Sequence, residues 1–142
     1  MLTTDVKLGC LKSCALFSKL PQSTLGVLAE AMEEERFDDG EVVCLHGEEA
    51  DRVYVVHEGR LAVVLPGATA PVRHLDRGEI LGEYGMFRGT RTTSIYARGA
   101  TALLSLDYAR FRSFLFQYPA AMHDLLAVTV DRLVEAEARA RR

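Results

Sequence analysis

The sequence has no long hydrophobic run, few cysteines and no excess of positive charge, and each shortage excludes a class of protein. Its uninterrupted apolar segments are a handful of residues long, whereas a membrane-spanning helix needs roughly 20. The first residues, MLTTDVKLGC, contain no signal-peptide core. Lysine and arginine total 17 against 20 acidic residues, which disfavours a dedicated nucleic-acid or anionic-membrane surface. We therefore expect a cytoplasmic protein without a membrane segment.

Cysteine is scarce, and its spacing fits neither a disulfide framework nor a complete metal site. The three cysteines are odd in number, which suits a reducing compartment. Cys10 and Cys14 lie four positions apart and could share a helix face, but two thiols leave a zinc site incomplete. A buried free cysteine usually behaves as a small apolar side chain. We therefore expect no bound metal and no cofactor.

The N-terminal zone, residues 1–35, carries the apolar spacing of a helix. Leu25, Leu28 and Met32 recur at intervals of three and four. The chain has 142 residues, 49% of them apolar, which is enough for the core of one domain. The three glutamates at 33–35 are interpreted as the solvated face at the end of this helical zone.

The middle zone, residues 36–107, changes to the pattern of strands. Short runs rich in Val, Leu and Tyr are bounded by Gly, Asp or Pro; they are EVVCL, RVYVV, RLAVVL, SIYA and ALLSL. Many short strands at even spacing are typical of an antiparallel barrel. We predict a mostly β fold with α-helices: an antiparallel β-barrel (jelly roll, double-stranded β-helix) flanked by an N-terminal helical region and two C-terminal helices.

The C-terminal zone, residues 108–142, returns to helical spacing and divides at Pro119. Its second helix has an apolar face made of Met122, Leu125, Leu126, Thr129, Val130 and Leu133. The chain ends before a helix-turn-helix could follow, so we expect no DNA partner. The heptad-like spacing of this helix allows a homodimer through it.

The segment GEILGEYGMFRGTRTTSIYA, residues 78–97, has the residues of an anion cradle. Gly82 and Gly85 let a backbone come close to a phosphate. Arg91 offers a planar fork that suits phosphate oxygens. Glu83 would repel a phosphate, so its natural partner is a sugar hydroxyl. Spacing alone leaves an ordinary turn between strands as the competing interpretation.

The chain resembles the cyclic nucleotide-binding domain family, the module of protein kinase A regulatory subunits, catabolite activator proteins and cyclic-nucleotide-gated channels. The likeness runs from Leu16 to Arg139 and is carried by LFSKLPQSTLGVLAEAM, DDGEVVCLHGEEADRVYVVHEGRLAVV, GEILGEY, RTTSIYA and VDRL. Residues 78–97 then correspond to the phosphate-binding cassette. The resemblance implies a regulatory sensor, not an enzyme, whose signal is movement of the C-terminal helix.

The resemblance also implies a ligand-binding set. It assigns the ribose to Glu83, the cyclic phosphate to Arg91, and the purine to the apolar barrel residues and the lid arginine. The set is Gly82, Glu83, Tyr84, Gly85, Arg91, Thr92, Thr93, Val63, Leu75 and Arg132. The cassette is one residue shorter than the common form, which makes Arg88 a competitor for the phosphate. Thr92 is compatible with cGMP and with cAMP, and cAMP is favoured as the commoner ligand.

Two alternatives stay open at this stage. The first is a nucleotide-free interaction or dimerisation module on the same fold, since the cassette is short. The second is a metal enzyme of the cupin type, for which His46, His57 and His74 are the available ligands. These histidines lack the His-x-His spacing of such a site. The sequence does not identify the effector.

Overall fold

Two helices precede a six-stranded sheet and two helices follow it, as predicted from the three zones. The computed structural model describes residues 2–141. In chain order the elements are α1 (Thr4–Ser13), α2 (Gln22–Ala31), β1 (Glu33–Phe37), β2 (Val42–Cys44), β3 (Arg52–Val64), β4 (Arg73–Leu75), β5 (Ile80–Leu81), α3 (Glu83–Arg88), β6 (Ser94–Asp107), α4 (Tyr108–Gln117) and α5 (Pro119–Ala140). No helix within these residues is long and apolar enough to cross a membrane.

Local chemistry sets the boundaries of the terminal helices. The Thr3 hydroxyl accepts the Val6 amide at 3.3 Å at the start of α1. The Asp107 carboxylate accepts the Arg110 amide at 3.2 Å and so caps α4 at the point where β6 ends. Pro119 opens α5, where a residue without an N–H leaves no helical hydrogen bond unmade.

The sheet is organised by two long antiparallel strands, β3 and β6. Their pairing is interrupted around Gly59, where the register shifts on both sides of Glu58 and Gly59 has a φ of +84°. One half of this pair is flanked by β1 and β5, and the other half by β2 and β4. The runs RVYVV and RLAVVL are therefore two halves of one bent strand, as are SIYA and ALLSL.

The structure corrects the predicted closure of this sheet into a barrel. Strand order is β1-β6-β3-β4, with β2 on β6 and β5 on β3. Within the described residues β4 does not pair with β1, so the ring stays open. The two halves pack face to face instead, because their side chains share one apolar cluster. This arrangement is compatible with a jelly-roll-like β-sandwich, and the bend at the bulges makes it possible.

Alternation along the strands divides the core in two. Tyr54 and Val56 belong to the cluster between the two halves of the sheet. Val53 and Val55 point the other way, into a second cluster with the helices. The second cluster also contains Cys10 and Cys14, both fully buried. Burial raises the pKa of Cys10 to about 11 and of Cys14 to about 12, so both thiols stay protonated at neutral pH.

Two sequence interpretations are wrong, one about the glutamates at 33–35 and one about the apolar face of α5. The glutamates at 33–35 lie in strand β1, paired with β6, because the register set by Phe37 and its neighbours continues through them. Leu126, Val130 and Leu133 are each more than half exposed, so the apolar face predicted for α5 is split. Only Ala121 and Leu125 of that helix are buried among the described residues.

His57 lies buried on β3 in a site built for its neutral form. Arg77 Nη1 donates to His57 Nδ1 at 3.1 Å and to the His57 carbonyl at 3.0 Å. The accepting Nδ1 carries no proton, so the proton is on Nε2, which lies 3.6 Å from Glu58. Burial, and then the Arg77 cation, lowers the pKa of His57 below its ordinary 6.5.

This lowered pKa makes stability depend on pH in a definite direction. Below pH 6.5 the imidazole of the unfolded chain binds a proton that the folded chain does not bind. Lowering the pH therefore lowers the free energy of unfolding, until the pH is below the pKa of His57 in the folded chain. The slope from one group is at most about 1.4 kcal/mol per pH unit. Urea unfolding between pH 5 and 8 measures it. The variant His57→Gln keeps an acceptor for Arg77, and its unfolding free energy is expected to lose this part of the slope; an equal slope in both proteins would contradict the assignment.

Candidate functional site

A glycine within the cassette has a backbone conformation that other residues rarely adopt. Gly82, directly after β5, has a φ of +90° and precedes the short helix α3. Its carbonyl accepts the Tyr108 hydroxyl at 2.6 Å. A Cβ atom on Gly85 would lie 2.5 Å from Ala50 Cβ and from the Tyr108 hydroxyl. The two glycines therefore let the cassette pack closely against the start of α4.

Arg91 is buried and held in place by neutral groups. Its Nη1 donates to the carbonyl of Arg52 at 3.1 Å and to the Tyr108 hydroxyl at 3.2 Å. The guanidinium carbon lies 5.6 Å from the centre of the Tyr54 ring. The carboxylate of the solvent-exposed Asp51 lies 3.9 Å from Nη2. Within residues 2–141 Arg91 has no shorter ion pair.

Glu83 is buried at the start of α3 and is covered by a residue of α5. Arg132 Nη1 donates to Glu83 Oε1, and Arg132 Nη2 donates to the Ile80 carbonyl at 2.6 Å. The other carboxylate oxygen, Glu83 Oε2, is buried and has no hydrogen-bond partner within residues 2–141. A buried acceptor that is left unpaired is costly, so this atom is suited to a donor from outside the chain.

All ten residues assigned to the site from the sequence line one cavity of about 50 Å³, which we call the inner cavity. They come from β3, β4, the cassette and α5. The complete lining is Cys44, Val63, Arg73, Leu75, Leu81, Gly82, Glu83, Tyr84, Gly85, Arg91, Thr92, Thr93, Ile95 and Arg132. The cavity is small because Arg132 reaches into it and covers Glu83.

A wider opening adjoins the inner cavity. This outer chamber has a volume of about 360 Å³ and shares Arg73, Tyr84 and Arg132 with the inner cavity. Arg88 lines the outer chamber and not the inner cavity. Arg88 therefore does not line the inner cavity with Arg91, where the sequence analysis expected it to compete for the phosphate. Ala136, one turn beyond Arg132, also lines the chamber.

Sequence reasoning missed Tyr108 and Arg73. Tyr108 holds both Arg91 and the Gly82 carbonyl, although it lies 17 and 26 positions away from them in the chain. Burial raises the pKa of Tyr108, and the Arg91 cation lowers it by a smaller amount, so the pKa lies above its ordinary value. Arg73 sits on β4, which was not predicted as a strand. No local spacing in the sequence connects either residue to the cassette.

The three histidines considered as ligands of a metal enzyme, His46, His57 and His74, are not grouped into a metal site. His57 is engaged by Arg77, while His46 and His74 are exposed. Among residues 2–141 no three His, Cys, Asp or Glu side chains are grouped so that they could hold a metal ion.

Known proteins resemble both the sequence and the fold. The family model described as cyclic nucleotide-binding domain matches residues 34–118. A cyclic nucleotide-gated potassium channel from Mesorhizobium japonicum is 32% identical over 105 residues, covering 73% of this chain and 28% of the channel. The curated relatives that this chain matches are longer proteins, and the chain spans less than a third of the length of each.

Two solved structures share the fold at low identity. The regulatory domain of Toxoplasma gondii protein kinase A with cAMP has a TM-score of 0.77 and 23% identity, covering 91% of this chain and 50% of that one. The regulatory subunit of a cAMP-independent protein kinase A from Trypanosoma brucei has a TM-score of 0.79 and 20% identity, covering 98% and 50%. The structural likeness establishes the fold, and the family match covers more than half of the chain. The chain therefore belongs to the cyclic nucleotide-binding domain family.

Proposed function

We propose that this chain binds a cyclic mononucleotide, cAMP in preference to cGMP, and signals through movement of α5. The observation that carries the proposal is a buried carboxylate with one unpaired oxygen, Glu83 Oε2, on a residue that lines the inner cavity together with Arg91. A ribose hydroxyl would complete the carboxylate, and the cyclic phosphate would take the donors of Arg91 that face the cavity. The preference for cAMP is supported by the cAMP-bound structural relative.

Binding requires Arg132 to change its partner. The inner cavity of about 50 Å³ is far below the roughly 300 Å³ of the smallest ordinary ligand pockets. Arg132 occupies the side of Glu83 that a ribose would approach. Entry of the nucleotide therefore displaces Arg132, which is then free to contact the purine.

The second half of α5 is suited to move with Arg132. The apolar contacts of α5 with the helical core come from its first three turns, through Ala121, Leu125 and the partly buried Met122 and Val128. Beyond them, Arg132 provides the hydrogen bonds to Glu83 and to the Ile80 carbonyl. A ligand that takes Glu83 from Arg132 therefore shifts an equilibrium between two positions of this half-helix.

Removal of the Glu83 carboxylate tests the ribose assignment. Glu83→Ala is expected to weaken cAMP and cGMP by the same factor, about tenfold or more, because both ligands carry the same ribose. Calorimetric titration of the wild type with cAMP and 2′-deoxy-cAMP should show a similar loss for the deoxy ligand. In the Glu83→Ala variant the two ligands should bind equally. A variant that weakens only one base, or that still distinguishes the deoxy ligand, would exclude Glu83 as the ribose partner.

The second candidate function is a nucleotide-free dimerisation module. It is favoured by the exposed apolar stripe on α5 formed by Leu126, Val130, Leu133 and Val134, and one structural relative belongs to a cAMP-independent kinase. Thermal unfolding with cAMP and cGMP separates the two candidates, since a ligand that binds only the folded state raises the melting temperature. No shift at millimolar nucleotide, together with a dimer in sedimentation, would favour the second.

A further inference from the structure

The outer chamber is lined by four arginines and by no carboxylate among the described residues. The arginines are Arg73, Arg88, Arg132 and Arg139. Together with Arg91, they set five guanidinium groups around the two connected cavities against a single acidic side chain, that of Glu83. A cyclic mononucleotide has one negative charge, which its phosphate would bring to Arg91. The cations of the outer chamber would then remain without a counter-charge.

Three of these arginines have no ion pair within residues 2–141: Arg73, Arg88 and Arg139. Arg73 is half-buried on β4, and burial, followed by the charge of Arg132, lowers its pKa. Tyr84 and the carboxylates of Glu83, in the inner cavity, and Glu135, which lines a neighbouring groove, act in the opposite direction on this pKa without reversing the shift. A half-buried guanidinium beside a second cation is unfavourable unless an anion joins them.

The chamber also presents an aromatic surface that the fold does not use. Phe87, in α3, lines it and is 73% exposed. Leu65 and Val72 line the chamber as well. An exposed ring next to a positively charged groove is the arrangement on which nucleobases stack. The chamber thus offers a second place for a base as well as for a phosphate.

We propose that the two cavities together also bind a dinucleotide with two phosphates, one nucleotide unit in the inner cavity and the second in the outer chamber. This inference rests on the proposed function, because the first unit uses Glu83 and Arg91 as a cyclic mononucleotide would. A 3′,5′-linked cyclic dinucleotide has a ribose 2′-hydroxyl beside each phosphodiester, so one unit satisfies both residues. Its second phosphodiester meets Arg73 and Arg139, and its second base stacks on Phe87.

Calorimetric titration of the 142-residue chain tests the inference. The ligands are cAMP, cGMP, cyclic di-AMP, cyclic di-GMP and the linear dinucleotides pApA and pGpG, which separate the cyclic from the linear source of two phosphates. The best dinucleotide is expected to bind at least about tenfold more tightly than the mononucleotide with the same base. Inorganic pyrophosphate serves as the probe for simple anion binding.

Variants of the chamber supply the matched comparison. The variants Arg139→Gln and, separately, Phe87→Ala should each weaken the dinucleotide about tenfold and leave the mononucleotide within about twofold, because both residues line the outer chamber and not the inner cavity. Arg112→Gln on α4, an exposed arginine away from both cavities, should change neither. Phe87 is exposed, so its variant is expected to fold even if replacement of Arg139 disturbs the end of α5.

The outcomes separate this inference from the proposed function. Mononucleotide binding with no tighter dinucleotide binding would overturn the inference and leave the proposed function standing. Pyrophosphate binding as tight as that of a dinucleotide would also overturn it, because the chamber would then be a simple anion site. If no nucleotide binds, both fail. Tighter dinucleotide binding that is lost in the chamber variants would support it, whether or not a mononucleotide also binds.

Discussion

Replacement of Arg91 by alanine is expected to lower the affinity for cyclic nucleotide about tenfold to a hundredfold. The side chain is 6% exposed and would give a phosphate charge-assisted hydrogen bonds worth roughly 1.5 to 3 kcal/mol. Its Nη1 already donates to the Arg52 carbonyl and to the Tyr108 hydroxyl, so those two acceptors fix the guanidinium in place. The donors left over are the ones a phosphate would use. Calorimetric titration with cAMP and cGMP measures the loss.

Two further variants serve as controls for Arg91→Ala. Arg91→Lys keeps the charge but loses the planar fork, so an affinity between the wild type and Arg91→Ala is expected. Arg88→Ala removes an arginine of the same cassette that lines only the outer chamber, and mononucleotide affinity should stay within about twofold. The melting temperature of each variant reports whether the fold is intact. Unchanged nucleotide affinity in a folded Arg91→Ala protein would remove Arg91 from the site.

Replacement of Gly82 by alanine is expected to damage stability and binding together. At a φ of +90° a side chain costs about 1–3 kcal/mol in backbone strain. The added Cβ would lie 2.8 Å from the Arg52 carbonyl oxygen and 2.8 Å from Arg91 Nη1, so the backbone or the arginine must shift. We expect a loss of unfolding free energy in urea, and a fall of more than about tenfold in nucleotide affinity, because Arg91 is displaced.

Gly89 provides the matched control in the same segment. Its φ is +81°, and a Cβ there would meet no atom within 4 Å. Gly89→Ala therefore carries the backbone strain without the collision. It should lose some stability and keep nucleotide affinity within about threefold. If both alanine variants bind nucleotide equally well, the close approach of Gly82 to Arg91 has no part in binding.

The split of α5 shows where a pattern read along the chain was insufficient. Met122, Leu125, Leu126, Val130 and Leu133 have the spacing of one face, but Leu125 is buried and the last three are exposed. Helical spacing tells which side chains point together, not where the helix stops touching its neighbours. That limit depends on which other elements lie against α5, and among the described residues only its first three turns pack into the helical core.

The sequence by itself determined the three zones, the cassette and ten of the fourteen residues that line the inner cavity. Each of these was readable because the signal is local: helix and strand periods extend over a few residues, and Gly82, Glu83 and Arg91 lie within one short segment. The family motifs supplied the more distant members, Val63 and Arg132. The structure brings these ten residues together around one cavity, and their roles toward a ligand stay predictions.

The tertiary structure alone decided that the sheet stays open, that the glutamates at 33–35 form a strand, and that Arg132 pairs with Glu83. Arg132 and Glu83 are separated by 49 positions, and their contact exists because α5 folds back over the cassette. The same return of the chain brings Tyr108 to Arg91 and gathers Arg73, Arg88 and Arg139 around one chamber. Contacts of this kind depend on the path of the whole backbone, which local periodicity does not contain.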